Sequence, residues 1–197
     1  DPALNIVTLN KDVQVPTRRF SISPRIDYAI NDNNTLVGRY NFTRSTSENQ
    51  NIGGFSLESR AFDSTNTQHG INLTESMIIN SKTVNETRFS LDINRRDQIG
   101  DNSIPTINVA SAFTGGGSQI GSSYNKSNRW ELQNYTTTSF GKGAQHSVKF
   151  GIRIRGINIE DRSESGYGGT FTFSGFLDNN GTPNDPTDDV FVSSINQ

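Results

Sequence analysis

The chain has 197 residues, 30% of them hydrophobic and 19% charged, with a net charge of −2 and no cysteine. That is thin material for a soluble core, and it leaves two classes: a partly disordered surface protein, or a β-barrel with a polar lumen and a lipid-facing row one residue deep. The lack of a Lys/Arg cluster argues against nucleic acid, the lack of thiols rules out a disulfide framework, and no apolar run approaches the ~20 residues of a membrane helix.

Residues 1–17 read as the tail of a loop, with neither the basic start nor the apolar centre of a signal peptide. A first strand is predicted over residues 19–30, with Phe20, Ile22, Ile26, Tyr28 and Ile30 on one face and Ser21, Ser23, Arg25 and Asp27 on the other. Pro24 interrupts the apolar parity and implies an edge strand or a bulge, because proline cannot donate to a ladder. Turn chemistry at 31–34 leads to a second strand, 35–43, aligning Leu36, Gly38, Tyr40 and Phe42 around Arg39. A polar stretch without sustained period, 44–67, reads as a long loop.

The third strand, 68–79, places Ile71, Leu73, Met77 and Ile79 together, with Glu75 as an acid on the same parity that a bulge would have to accommodate. After a tight turn at 80–82 the fourth strand, 83–96, sets Phe89, Leu91 and Ile93 against Glu86, Arg88, Ser90, Asp92 and Asn94. Residues 97–127 read as a second long loop, with Gly115 to Gly117 as a flexible part of it; no Lys-Ser/Thr follows those glycines, so they are no phosphate cradle. The clearest hairpin joins 128–140 to 145–154 through a GKGAQ turn. Its second arm alternates Val148, Phe150, Ile152 and Ile154 with Lys149, Gly151 and Arg153. Residues 162–197 form a third long loop, with a short strand possible over 169–174.

These readings define an all-β fold: an antiparallel meander of long hairpins, about six strands, forming part of a transmembrane β-barrel that is open or incomplete within this chain. The connections alternate short and long, as periplasmic turns and external loops do in outer-membrane barrels, and the strands reach the roughly 9 to 11 residues needed to cross a bilayer at a tilt. Phe20, Tyr40, Phe42 and Trp130 fall at one predicted membrane interface, Tyr28 and Phe140 at the other. The rival class is a secreted or cell-surface β-sandwich binding module, which would bury Val148, Phe150 and Ile152 beneath a second sheet.

Among candidate sites, Arg25, Asp27, Arg39, Glu86, Arg88, Asp92, Glu131, Lys149, Arg153 and Arg155 share the lumen parity; they are ligand-path or plug-facing candidates, or they simply solvate the interior. Asp178, Asn180, Asp185, Asp188 and Asp189 form a weak calcium candidate, since alternating carboxylate and amide oxygens suit a hard cation, although the spacing is not that of an EF-hand and an Asx-rich turn serves as well. His69 and His146 lack ligand spacing, and no nucleophile motif or paired carboxylates point to an enzyme.

The segments RIDYAINDNNTLVGRYNF (25–42), VNETRFSL (84–91), INVASAFTGGG (107–117), ELQNYTTTSFGKGAQHSVKFGIRIRG (131–156) and GGTFTFSG (168–175) resemble the barrel of TonB-dependent outer-membrane receptors, most closely the Oar-like group with a carboxypeptidase-regulatory-like domain. The resemblance covers nearly the whole chain and rests on recurring texture. It implies a barrel filled by a plug, an outer-membrane location in contact with lipid, and energy-coupled uptake of an unknown solute through a TonB-type transducer. With no plug, TonB box or barrel-closing strand in view, the chain is expected to be a central piece of such a receptor that pairs with the remainder of its own barrel.

Overall fold

Period-two alternation becomes one long antiparallel sheet. The structure, a computed structural model, describes residues 11–110, 112–143, 145–174, 176–178, 181, 187 and 190–192. In chain order the strands are β1 (Thr17–Ile22), β2 (Arg25–Asn31), β3 (Asn34–Gln50), β4 (Phe62–Asn80), β5 (Thr83–Gly100), β6 (Thr106–Val109), β7 (Phe113–Gly116), β8 (Ser123–Phe140), β9 (His146–Arg162), β10 (Thr170–Phe173), β11 (Phe176–Asp178) and β12 (Val190–Val192). The main sheet runs β1-β3-β4-β5-β8-β9, with β2 also on β3; β10-β6-β7 form a second sheet and β11-β12 a third. The connections near residues 32, 81 and 142 are tight. In the first two, an asparagine side chain accepts from the backbone two residues on, Asn31 from Asn33 N–H and Asn80 from Lys82 N–H, each at 2.9 Å.

Register fixes which side chains share a face. Ile26, Gly38, Leu73, Phe89, Leu132 and Ile154 follow one another straight across six strand segments, and one position along, on the opposite face, run Arg25, Arg39, Asn72, Ser90, Glu131 and Arg155. A slip of one residue anywhere would exchange these rows, so the alternation in each strand specifies the pairing of its neighbours. Among the described residues the apolar row has no protein over it: Ile26 is 70% exposed, Phe150 58% and Ile152 60%. The sandwich alternative therefore fails, since it requires a second layer at these residues. The one buried hydrophobic side chain among the described residues, Val109, lies outside the main sheet.

Several expectations need correction. β3 runs on to Gln50 and β4 begins at Phe62; β5 reaches Gly100 and β8 begins at Ser123, so the long loops expected at 44–67 and 97–127 shrink to 51–61 and 101–122. The extra strand is polar on both faces because both meet water, and without an apolar face no alternation marks it. At about 3.3 Å per residue, a strand such as β4, with 19 residues, is roughly twice the ~30 Å of hydrocarbon it has to cross. β9 continues to Arg162, where the third loop was expected to begin, and β10 lies within the short strand expected over 169–174.

Pro24 sits in the gap between β1 and β2 on the outer edge of the sheet. Its carbonyl accepts from Tyr40 N–H at 3.1 Å and the register with β3 is the same on either side, so the proline is absorbed by an edge, without a bulge. No bulge relieves Glu75 either, as β4 pairs without a shift from Ser64 to Met77 with β3 and from Phe62 to Ile78 with β5. The acid is instead one of several polar groups on that face: Asn34 Nδ2 donates to Glu75 Oε1 at 2.9 Å, while Asn85 and Asn134 exchange amide bonds at 3.1 and 3.0 Å and donate to Thr136 and Thr87, both at 2.8 Å. Gly115 and Gly116 are strand, not flexible loop. Gly116 has φ +73° and a Cβ there would lie 2.2 Å from the Pro105 carbonyl oxygen, so only glycine fits.

Candidate functional site

All ten sequence-predicted lumen residues lie on the face opposite the apolar rows. The parity of each strand puts Arg25 and Asp27 of β2, Arg39 of β3, Glu86, Arg88 and Asp92 of β5, Glu131 of β8, and Lys149, Arg153 and Arg155 of β9 on one side of the sheet. Some are tied together. Arg25 forms a bidentate pair with Asp27 at 2.7 and 2.6 Å, Arg88 meets Glu86 at 2.8 Å, and Arg153 reaches across from β9 to Glu131 at 2.8 and 2.6 Å. Lys149 Nζ stands 4.8 Å from the centre of the Tyr135 ring. These contacts hold long side chains against the sheet and spread the charge along it.

Between the pairs lies an open groove of about 550 Å³ lined by Ser90, Asp92, Arg129, Glu131 and Arg155, with Trp130 and Gly156 contributing at its edge. Arg129 and Arg155 enter it without an ion pair in hydrogen-bonding range among the described residues. Arg129 was not singled out from the sequence, although it has the same parity as Glu131; the start of a predicted strand gave no reason to choose it. On the reverse side, a Cβ on Gly156 would come within 2.5 Å of the Trp130 indole Nε1, so the indole lies over a bare backbone. Tyr135 and Gly151 make the same match on the charged face, at 2.7 Å. Large ring beside glycine in a cross-strand pair is a signal the sequence carried.

The end of the sheet opposite the tight turns bears a layer built from three separate loops. β10 pairs in parallel with β6, and β6 in antiparallel with β7. The loop before β4 joins them by backbone bonds, Leu57 N–H to the Thr114 carbonyl at 2.9 Å and Thr114 N–H to the Phe55 carbonyl at 2.7 Å. Arg60, on a short 3-10 turn (Glu58–Arg60), is 4% exposed and donates through Nη1 to Thr106 Oγ1 and to the Gly117 carbonyl at 3.0 Å. Its Nε is buried without a partner among the described residues, and burial lowers the guanidinium pKa from its usual value. Glu164 closes the layer from the β9 side, accepting from Ser122 N–H at 2.7 Å. That bond, more than the neighbouring Arg162, holds the carboxyl pKa below the usual range.

Of the calcium candidates, Asn180, Asp185, Asp188 and Asp189 lie outside the described residues, and Asp178 ends β11. No cluster of three or more His, Asp or Glu suited to a metal occurs among the described residues. His69 turns out to sit on the apolar face, its Nδ1 2.8 Å from the Tyr40 hydroxyl and its ring 5.1 Å from that of Phe42.

A sheet of long tilting strands with one uncovered apolar face, one charged face, tight turns at one end and interlocked loops at the other is the wall of a transmembrane β-barrel. The family model for an outer membrane beta barrel domain matches residues 3–196, and the chain belongs to that family. Neither a curated protein nor a solved structure matches it. The protein is thus located in the outer membrane and associates with membrane lipid.

Proposed function

We propose that this wall belongs to a TonB-dependent receptor that takes up a solute with energy supplied from a TonB-type transducer, the solute passing along the charged face. The observation that carries the reading is the groove at Arg129, Glu131 and Arg155, open and polar on the face turned from lipid. Below the rim at the looped end the inward rows hold seven cations, Arg25, Arg39, Arg88, Arg129, Lys149, Arg153 and Arg155, against the carboxylates of Asp27, Glu86, Asp92 and Glu131. Excess positive charge along a water-filled path favours an anionic solute, and the ion-paired remainder offers a docking face to a plug. The outer loop layer is the first surface a solute meets. The role is binding and passage rather than catalysis, and six strands require the remainder of a barrel to close.

The test uses the intact receptor in cells. Uptake that depends on this protein should disappear when the transducer is deleted, and Arg129→Gln with Arg155→Gln should reduce it about tenfold while surface display of the protein is retained. Passage that persists without the transducer would make the protein a passive pore and overturn the energy-coupled reading.

A further inference from the structure

The lipid-facing parity does not end in neutral residues at the looped end. Directly beyond the row Ile22, Phe42, His69 and Ile93, the next outward row reads Phe20, Arg44, Thr67, Arg95, Lys126 and Glu160, and the one after it Arg18, Thr46, Thr65, Asp97, Tyr124 and Arg162. Five cations thus face outward within two rows, against Asp97 and Glu160. On the inward face at the same height stand Arg19, Arg96 and Asp161. At the turn end the outward strand positions carry no cation at all.

Arg95 is held by Asp97 at 2.7 Å, Lys126 lies 3.2 Å from Glu160, and Arg18 and Arg162 pair with Glu48 and Glu164, but Arg44 is exposed and has no carboxylate partner among the described residues. Adjacent strands lie about 4.8 Å apart, so Arg44, the Thr67 hydroxyl, Arg95 and Lys126 span roughly 15 Å along the rim. Beneath them Phe42, Ile71, Leu91 and Ile93 offer an apolar track on the same face.

From this juxtaposition we propose that the outward rim row Arg44–Thr67–Arg95–Lys126 is a binding site for the phosphate headgroup of an outer-leaflet lipid, whose acyl chains lie along Phe42, Ile71 and Ile93. Arg44 supplies the free guanidinium and Lys126 the second charge; Thr67 donates its hydroxyl between them. Net positive charge immediately above an apolar wall draws an anionic headgroup to the surface, and the apolar track distinguishes a lipid from a free anion. The site is independent of the solute path, which lies on the other face of the sheet.

The absence of cysteine makes a local test direct. In the intact protein, with any cysteines outside this segment removed, Thr65→Cys is labelled with a fluorophore and the protein is placed in phosphatidylcholine vesicles containing nitroxide-labelled phosphatidic acid or nitroxide-labelled phosphatidylcholine. Phosphatidic acid should quench at a lower mole fraction than phosphatidylcholine. The preference should fall about fivefold for each of Arg44→Gln and Lys126→Gln, and it should shrink at high salt. Arg96→Gln, which removes a charge at the same height on the inward face, should leave it unchanged. Equal quenching by both probes in the wild-type protein overturns the proposal whatever the variants do. So does a preference that survives both substitutions, or one abolished by inorganic phosphate but not by chloride at equal ionic strength, which would identify a free-anion site.

Discussion

The membrane-crossing wall and the loop layer at its end are stabilised in opposite ways. In the wall, Ile26, Phe150 and Ile152 are more than half exposed and none of the described residues covers them; in the layer, Val109, Thr106, Ser118 and Arg60 are buried to 6% exposure or less. The wall is half of a structure whose other half is hydrocarbon. The layer has its own miniature interior, assembled from loops that leave different hairpins. What this contrast teaches is that a poor hydrophobic content need not mean a weak fold, since 30% apolar residues suffice where the solvent itself supplies the second layer.

Four experiments probe that contrast. The largest effect is expected from Leu132→Arg, which places a charge in the apolar row between Phe89 and Ile154: about 3 kcal/mol lost in urea unfolding from vesicles, with little change in detergent micelles that can deform around the guanidinium. Gly156→Val comes next. Its side chain would collide with the Trp130 indole and should cost about 2 kcal/mol, with a shift in tryptophan emission as the ring leaves its place; Trp130 is the sole tryptophan of the chain, so the signal is clean wherever this segment is the reporter.

Arg60→Met should be smaller and strictly local. Thr106 and Gly117 keep their own bond at 3.0 Å, so about 1 kcal/mol is lost, read as faster hydrogen exchange over 101–122 while β4 and β5 remain protected. If exchange in the wall rises equally, the two regions are one cooperative unit and the contrast fails.

The smallest effect concerns acid. At the rim, hydrogen bonding from Arg95 lowers the pKa of Asp97, Tyr124 and Lys126 lower that of Glu160, and Ser122 N–H lowers that of Glu164. Each group therefore favours the folded rim above its unfolded pKa, and that contribution is lost as pH falls through the depressed folded value. Exchange at residues 121–125 and 160–165 should accelerate below about pH 4, from the ordinary carboxylate range downward, while the centre of β8 stays unchanged.

How much was legible in the sequence follows the same division. Where one face meets lipid, alternation reports it: β9 was visible from Val148, Phe150, Ile152 and Ile154 alone, whereas Pro24 left an edge and a bulge equally open for β1 and β2. Beyond the hydrocarbon, Arg44 to Ser47 and Ser64 to Thr67 pair residue for residue, and Gln50 meets Phe62 after a shift in register, but both faces are wet and no period marks them. β6 and β10 pair across more than sixty residues of sequence, a parallel contact with no local signature. Glu75 misled for another reason. An acid on an apolar parity suggests a shift in register, whereas here the neighbouring strands supply Asn34, Thr87 and Asn134, and such company is visible only once pairing is known. The ten candidate residues share one face because parity alone decides it, but the groove needed the register that brings Ser90, Glu131 and Arg155 into one line.

The parallel pairing of Phe171 with Ile107 has a bearing on how the protein is made. These two residues become neighbours only after β8 has descended and β9 has returned, so their shared patch of surface cannot exist on a chain stalled halfway through insertion. An antibody fragment raised against that composite epitope would count finished molecules on living cells and ignore every stranded intermediate.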